Sequence, residues 1–165
     1  MRSVLIEALA LKQLDRAGWV RAGVPRPESV AAHSWGVAWL VATLCPAHLD
    51  RERAMLIALV HDLAEVRVGD ITPHDGVDPD HKATAETAAF GSMVAALPNS
   101  EELVQAFADY GTTAEGRFVK ACDKLDMALQ AEVYGRQGVD TREFIDSALA
   151  RLDGELAELA RGGRA

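Results

Sequence analysis

Cysteine is scarce in this chain: Cys45 and Cys122 are the only two among 165 residues. They form no C-x-x-C pair and no repeated spacing, which excludes a disulfide framework or a thiolate zinc knuckle. Both lie in apolar helical context and read as buried thiols, so a reducing cytoplasmic location is expected. Lys and Arg never cluster into a run, and the formal net charge is −8. That excludes a strong grip on a nucleic-acid polymer, which depends on cations displacing counterions. No segment approaches the ~20 apolar residues of a membrane span. The N-terminal MRSVLIEALALK resembles a leader only weakly, because Glu7 interrupts it well short of the ~7–15 apolar residues an h-region needs. No stretch of useful length alternates apolar and polar residues, so no sheet is expected. There is no internal repeat and no linker, and the length suits one domain over residues 1–165.

What the chain does have is helical periodicity. Apolar residues make up 49% and charged residues 25%, as in an ordinary globular protein. The spacing predicts a helix over about 3–14, then a Gly- and Pro-marked connector, RAGWVRAGVPRPES. Ser29 is a cap for a second helix that Pro46 ends, with Val30, His33, Val37, Leu40, Val41 and Leu44 on one face. Asp50 caps a third helix running to about Val66. RVGDITPHDGVDPDH reads as a loop. Further helices are expected over about 80–97, 100–110, 113–135 and 141–161. The expected fold is all-α, a single-domain bundle of six or seven helices.

Within the third helix, AMLIALVHDLAEV places His61 and Asp62 at the end of an apolar run. A carboxylate buried there unpaired would cost several kcal/mol. A divalent metal ion is the simplest compensation, because neutral imidazole and carboxylate are both good ligands. Glu65 stands four residues after His61, on the same helical face. His33 lies on the apolar face of the preceding helix, and Asp123 stands among core residues in RFVKACDKLDMALQ. Each has an ordinary structural reading alone: a satisfied core histidine, an ion-paired aspartate, an exposed glutamate. Together, His33, His61, Asp62 and Asp123 are four potential ligands on three core-facing helices.

The order His, His-Asp, Asp resembles the signature of the HD-domain metal-dependent phosphohydrolases. PESVAAHSWGVA, LVHDLAEVRVGDITP and ACDKLDMALQAEVY resemble segments of the branch containing the YfbR-type 5′-deoxynucleotidases and their HD-domain-containing relatives. The resemblance covers roughly Leu11 to Tyr134. It implies an all-helical homodimer, with His33, His61, Asp62 and Asp123 as ligands of a divalent metal. Mn, Co or Mg is implied first, with Fe, Zn or Ni also admissible. It further implies a catalytic role for Glu65 and a substrate- or metal-facing role for Asp70 in GDITP. Trp19 matches an aromatic residue at the substrate pocket, and Lys124 follows the last metal aspartate as in relatives.

Two positions depart from the pattern. The residue before the tryptophan is Gly18 where the branch has a substrate-contacting arginine, and Arg16 or Arg21 is the candidate replacement. Ala32 stands where a glutamate commonly precedes the first histidine. Both changes bear on 2′-deoxy selectivity and leave the metal ligands in place.

A mixed imidazole and carboxylate site suits hydrolysis, since a bound cation acidifies water and offsets phosphoryl charge. Glu65 or Asp70 would handle the proton, Lys124 the phosphate charge, and Trp19 would stack on a base, whereas Trp35 and Trp39 read as core or dimer contacts. The expected reaction is hydrolysis of (deoxy)nucleoside 5′-monophosphates to nucleoside and phosphate. The alternatives are another phosphate ester or nucleotide, such as a nucleoside triphosphate or (p)ppGpp, and a non-catalytic helical interaction module. Val66 after Glu65 argues against (p)ppGpp hydrolases, which carry Asp there. A di-iron oxygenase or cyclic-dinucleotide phosphodiesterase needs two extra histidines, and only His74 and His81 lie in the interval, in or near a loop. The complete ligand set argues against the interaction module.

Overall fold

Helical periodicity is realised along nearly all of the computed structural model, which describes residues 1–162. The one-domain reading over 1–165 extends to Gly163–Ala165, which lie outside the described residues. The chain runs through α1 (Arg2–Ala8), a 3-10 turn (Leu9–Lys12), α2 (Ala17–Arg21), α3 (Val30–Leu44), α4 (Arg51–Val60) and α5 (Glu65–Val68). A 3-10 turn (Pro73–Asp75) follows, then α6 (Pro79–Val94), α7 (Ser100–Asp109), α8 (Ala114–Gly135), α9 (Arg142–Leu149) and α10 (Gly154–Arg161). No strand occurs among the described residues; Asp15 and Ser29 form an isolated bridge. Among the described residues no helix is long and apolar enough to cross a membrane.

The predicted caps act as expected. The Ser29 side chain accepts from the Ala32 N–H and that of Asp50 from the Arg53 N–H, satisfying donors that a helix start leaves free. Three elements differ from the periodicity. The connector contains the short helix α2. The third helix breaks after Val60, because Leu63 N–H bonds to the Val60 carbonyl and Glu65 N–H to that of Asp62, both at 3.0 Å. These i to i−3 bonds tighten the chain into a turn before α5, so His61 and Asp62 sit at a helix end rather than mid-helix. The last helix divides into α9 and α10, where Asp153 is extended and Gly154 has φ +50°.

Helices α3, α4 and α8 pack around a core that includes Val37, Val41, Ile57, Ala58, Val119 and Leu125. Phe90 of α6 stacks on Phe107 of α7 with ring centroids 4.5 Å apart, closing that side. A second, smaller cluster of Trp19, Val24, Ala131, Tyr134, Phe144 and Ile145 joins α2 to the α8–α9 hairpin. Cys45 and Cys122 are free and buried, and burial pushes the Cys122 thiol up to about 12, which makes it inert. The core alternative for Trp35 and Trp39 is corrected: they are 70% and 57% exposed, one turn apart on the outer face of α3.

Candidate metal centre and active-site cavity

Four side chains gather where α3, the end of α4 and α8 meet, three of them in one tight group and Asp123 beside His33. His33 enters from α3 with no exposure, His61 caps α4, Asp62 follows it in the tight turn, and Asp123 comes from α8. Donor atoms of His33, His61 and Asp62 all lie within 4.8 Å of one another. Asp62 Oδ2 is 3.3 Å from His61 Nε2 and 3.6 Å from His33 Nε2. Asp123 Oδ1 is 3.4 Å from His33 Nε2.

The outward ring nitrogens are occupied. His61 Nδ1 lies 2.8 Å from the Ala58 carbonyl oxygen, and His33 Nδ1 lies 2.7 Å from Asp126 Oδ2. Each Nδ1–H donates outward, which turns Nε2 toward the cluster. Both Nε2 atoms are buried with no hydrogen-bond partner. A buried polar atom without a partner is costly. Two such atoms converging beside two carboxylates fit a divalent cation, and the nitrogen and oxygen donors fit the Mn, Co, Mg and Zn group.

Electrostatics concentrate here. Burial pushes the Asp62 carboxyl up, but His61, His33 and Arg16 outweigh it and hold it below the usual carboxylate range. Burial likewise opposes ionisation of Asp123, and Lys124, His33 and His61 overcome it. Burial and Arg16 push the His33 imidazolium down, while Asp123 and Asp126 hold it above its ordinary value. Glu65 is the reverse case: burial, then Asp62 and Asp70, push it well above the usual range. Its Oε2 is buried and unpartnered.

His61, Asp62 and Asp123 line a cavity of about 790 Å³, within the size range of small-molecule sites, with His33 buried behind them. Glu65, Asp70, Trp19, Arg21 and Lys124 all line it. Asp70 Oδ2 accepts from the Ala17 N–H at 2.7 Å, tying the GDITP loop to α2. Lys124 Nζ is 3.0 Å from Asp123 Oδ2. Trp19 is 1% exposed; its Nε1–H donates to Glu28 Oε1 at 2.9 Å and its ring lies against Tyr134 and Phe144. Arg21 pairs with Glu143 and lies over the Phe144 ring, at the cavity edge. His74 and His81 are exposed, His81 in the first turn of α6. Ala32 is exposed on α3.

The structure places two residues that the sequence reading had named, Arg16 and Gly18, and adds two that it had not, Tyr110 and Asp126. Arg16, one of two candidates there, is the arginine beside the cluster, with Nη1 3.4 Å from Asp62 Oδ2. Gly18 abuts Phe144: a Cβ there would meet the ring at 3.1 Å, so α9 occupies the space beside residue 18. The Tyr110 hydroxyl reaches Asp123, and nothing in the sequence links α7 to that carboxylate. Asp126 stands three residues after Asp123, a spacing that places both on one helical face and offered a signal.

This fold and donor set belong to a recognised class, and the chain is a member of the HD domain family, matched over residues 8–160. Among individual relatives, it is 39% identical over 128 residues to the 5′-deoxynucleotidase HDDC2 of Bos taurus, covering 75% of this chain and 62% of that one. It is 36% identical over 135 residues to the 5′-deoxynucleotidase hdd1 of Schizosaccharomyces pombe, covering 77% and 68%. The chain therefore spans a little over three fifths, 62%, of the Bos taurus relative. A conserved hypothetical protein from Pyrococcus furiosus superposes with TM-score 0.80 at 34% identity, covering 98% of this chain and 95% of that one. A structure described as a predicted metal-dependent phosphohydrolase from Magnetospirillum magnetotacticum superposes with TM-score 0.73 at 26% identity, covering 97% and 87%.

Proposed function

We propose that the chain is a divalent-metal-dependent phosphohydrolase that converts (deoxy)nucleoside 5′-monophosphates to nucleoside and phosphate. The observation that carries this is the pair of unpartnered, buried Nε2 atoms of His33 and His61 beside Asp62 and Asp123, three of these four residues lining a cavity of about 790 Å³. The similarity to two 5′-deoxynucleotidases supports the substrate class.

His33, His61, Asp62 and Asp123 would hold the cation. When bound, it lowers the pKa of water and neutralises charge on the phosphoryl oxygens. Arg16 and Lys124, both cavity-lining, offset phosphate charge from the side. Water oxygen bonds to phosphorus, the bond from phosphorus to the 5′ oxygen breaks, and that oxygen takes a proton. Glu65 supplies that proton, or takes the one the attacking water loses: its buried Oε2 has no competing partner, and its surroundings favour the protonated form. Asp70, fixed by Ala17, is the second catalytic carboxylate and orients the water. Trp19 and Arg21 border the nucleoside end, with Phe144 between them.

The same proposal covers the remaining organisation. Residues 1–165 form one HD domain, and the chain works in the cytoplasm, where Cys45 and Cys122 stay reduced. It pairs as a homodimer; Trp35 and Trp39, exposed on a helix without charged residues, support an apolar self-contact. Mn, Co or Mg is the working metal.

One observation favours a second reading. Lys120 and Arg151 also line the cavity, and neither has a carboxylate partner among the described residues. Such charge suits a more heavily phosphorylated substrate, such as a nucleoside triphosphate. A phosphate-release screen of nucleoside mono- and triphosphates and sugar phosphates, with Mn, Co and Mg, decides. Turnover of deoxynucleoside monophosphates is expected; inactivity on every nucleoside monophosphate overturns the first reading.

A further inference from the structure

Behind the cluster, α3 and α8 approach at a point that metal binding alone does not explain. Asp126 stands on α8, three residues beyond Asp123, so both carboxylates face α3. Asp123 Oδ1 lies 3.4 Å from His33 Nε2, while Asp126 Oδ2 lies 2.7 Å from Nδ1 of the same ring. One imidazole thus faces carboxylates from consecutive turns of α8, hydrogen-bonded at Nδ1 and only approached at Nε2. The side chain of Asp126 reaches the ring across Gly36, three residues after His33 on α3. A Cβ at Gly36 would meet Asp126 Oδ1 at 2.1 Å and Cγ at 2.9 Å. Gly36 is buried inside a regular helix, where glycine is a poor helix former, and no positive φ requires it there. Glu28 closes the far side: its carboxylate lies within 4.8 Å of the ligand atoms of His33 and Asp126, and it accepts from Trp19 at the cavity wall.

We propose that Asp126 is a positioning residue for the metal centre, and that residue 36 is glycine because the Asp126 carboxylate needs its space. Asp126 takes the Nδ1–H of His33, fixing the ring plane and leaving Nε2 to face the cation. A partner of this kind makes the imidazole a better ligand, and losing it typically weakens metal affinity about 10–100-fold. Gly36→Ala reaches the same end from the other helix. Its methyl group pushes out the end of a flexible side chain while leaving α3 with the better helix former.

This inference rests on the metal reading, and Mn²⁺ titration calorimetry on four proteins tests both. Wild type, Asp126→Ala, Gly36→Ala and the double variant are compared, each with its thermal midpoint. Both single variants are expected to bind Mn²⁺ about 10–100-fold more weakly. Gly36→Ala should do so with an unchanged or raised midpoint, which general damage to packing would not produce. The double variant should bind no more weakly than Asp126→Ala alone, since the methyl group then has no carboxylate to displace. Wild-type affinity in Asp126→Ala, or additive losses in the double variant, would overturn the positioning role while leaving the metal site standing. A wild-type protein that binds no Mn²⁺, Co²⁺ or Mg²⁺ would overturn the metal reading, and this one with it.

Discussion

The Tyr110 hydroxyl donates to Asp123 Oδ2 at 2.5 Å, and the Tyr110 ring stacks on His61 with centroids 5.2 Å apart. The residue that caps α7 therefore braces a carboxylate from α8 and the imidazole that caps α4. Burial and the neighbouring Asp123 and Asp62 carboxylates push the phenol well above its ordinary value, so it stays a donor. Tyr110→Phe keeps the stacking and removes the donor. Metal affinity is expected to fall about tenfold, the lower end of the range for lost outer partners. Calorimetry should show this with little change in thermal midpoint.

Asp62 is the oxygen shared by the cluster, within 3.3 Å of His61, 3.6 Å of His33 and 3.4 Å of Arg16. Asp62→Ala and His61→Ala should each abolish metal binding and turnover. Helix content by circular dichroism should stay near wild type, because α4 ends at Val60. Full activity of metal-free Asp62→Ala protein would sink the mechanism.

Glu65 does not belong to the tight ligand group, yet it is 5% exposed at the cavity floor. Glu65→Gln preserves shape and removes proton transfer. The turnover number is expected to fall about 10²–10⁴-fold while Mn²⁺ affinity stays near wild type. A parallel loss of both would assign Glu65 to ligation.

Away from the site, Gly116 permits a backbone contact between the start of α8 and the end of α7. A Cβ there would lie 1.7 Å from the Asp109 carbonyl oxygen, which no side-chain rotation relieves. Gly116→Ala is expected to cost about 3 kcal/mol or more, the upper range for forced overpacking. Urea unfolding at neutral pH measures it.

Asp109 also sets part of the acid response. Burial raises its pKa, but the hydrogen bonds from Gln105 and Arg53 outweigh that and lower it, with Arg53 Nη2 at 2.7 Å. A lowered folded value means stability that is present above the unfolded pKa of about 3.9 and lost as pH falls through the folded one. Asp109→Asn should therefore be less stable than wild type at pH 7, and the gap should narrow on acidification below about pH 4. A gap that stays constant between pH 7 and pH 3 would exclude the Asp109 charge as its source.

The candidate ligands were legible as candidates because their residue types are conspicuous where they stand, and the family resemblance joined them into one set. His33 and Asp123 interrupt apolar helix faces, and His61-Asp62 ends an apolar run. Helix starts were legible for an equally local reason, since Ser29 and Asp50 cap through their own side chains. The break after Val60 was not, because a switch from i−4 to i−3 bonding leaves the apolar pattern nearly unchanged. Trp19 shows the limit for a single residue. Its place beside the cavity followed from resemblance, but its burial against Phe144 and its bond to Glu28 depend on α9 and the connector.

The sequence by itself determined the all-helical class and the capped starts at Ser29 and Asp50, and it singled out four candidate ligands, since each of these depends on neighbours within a turn or two of the chain. Tertiary structure alone decided which atoms converge and what holds them. Asp126 on His33, Tyr110 on Asp123 and Arg16 beside Asp62 are separated by 93, 13 and 46 residues. Their meeting is set by how α3, α4, α7 and α8 pack, and helix periodicity carries no record of which neighbour a face will find.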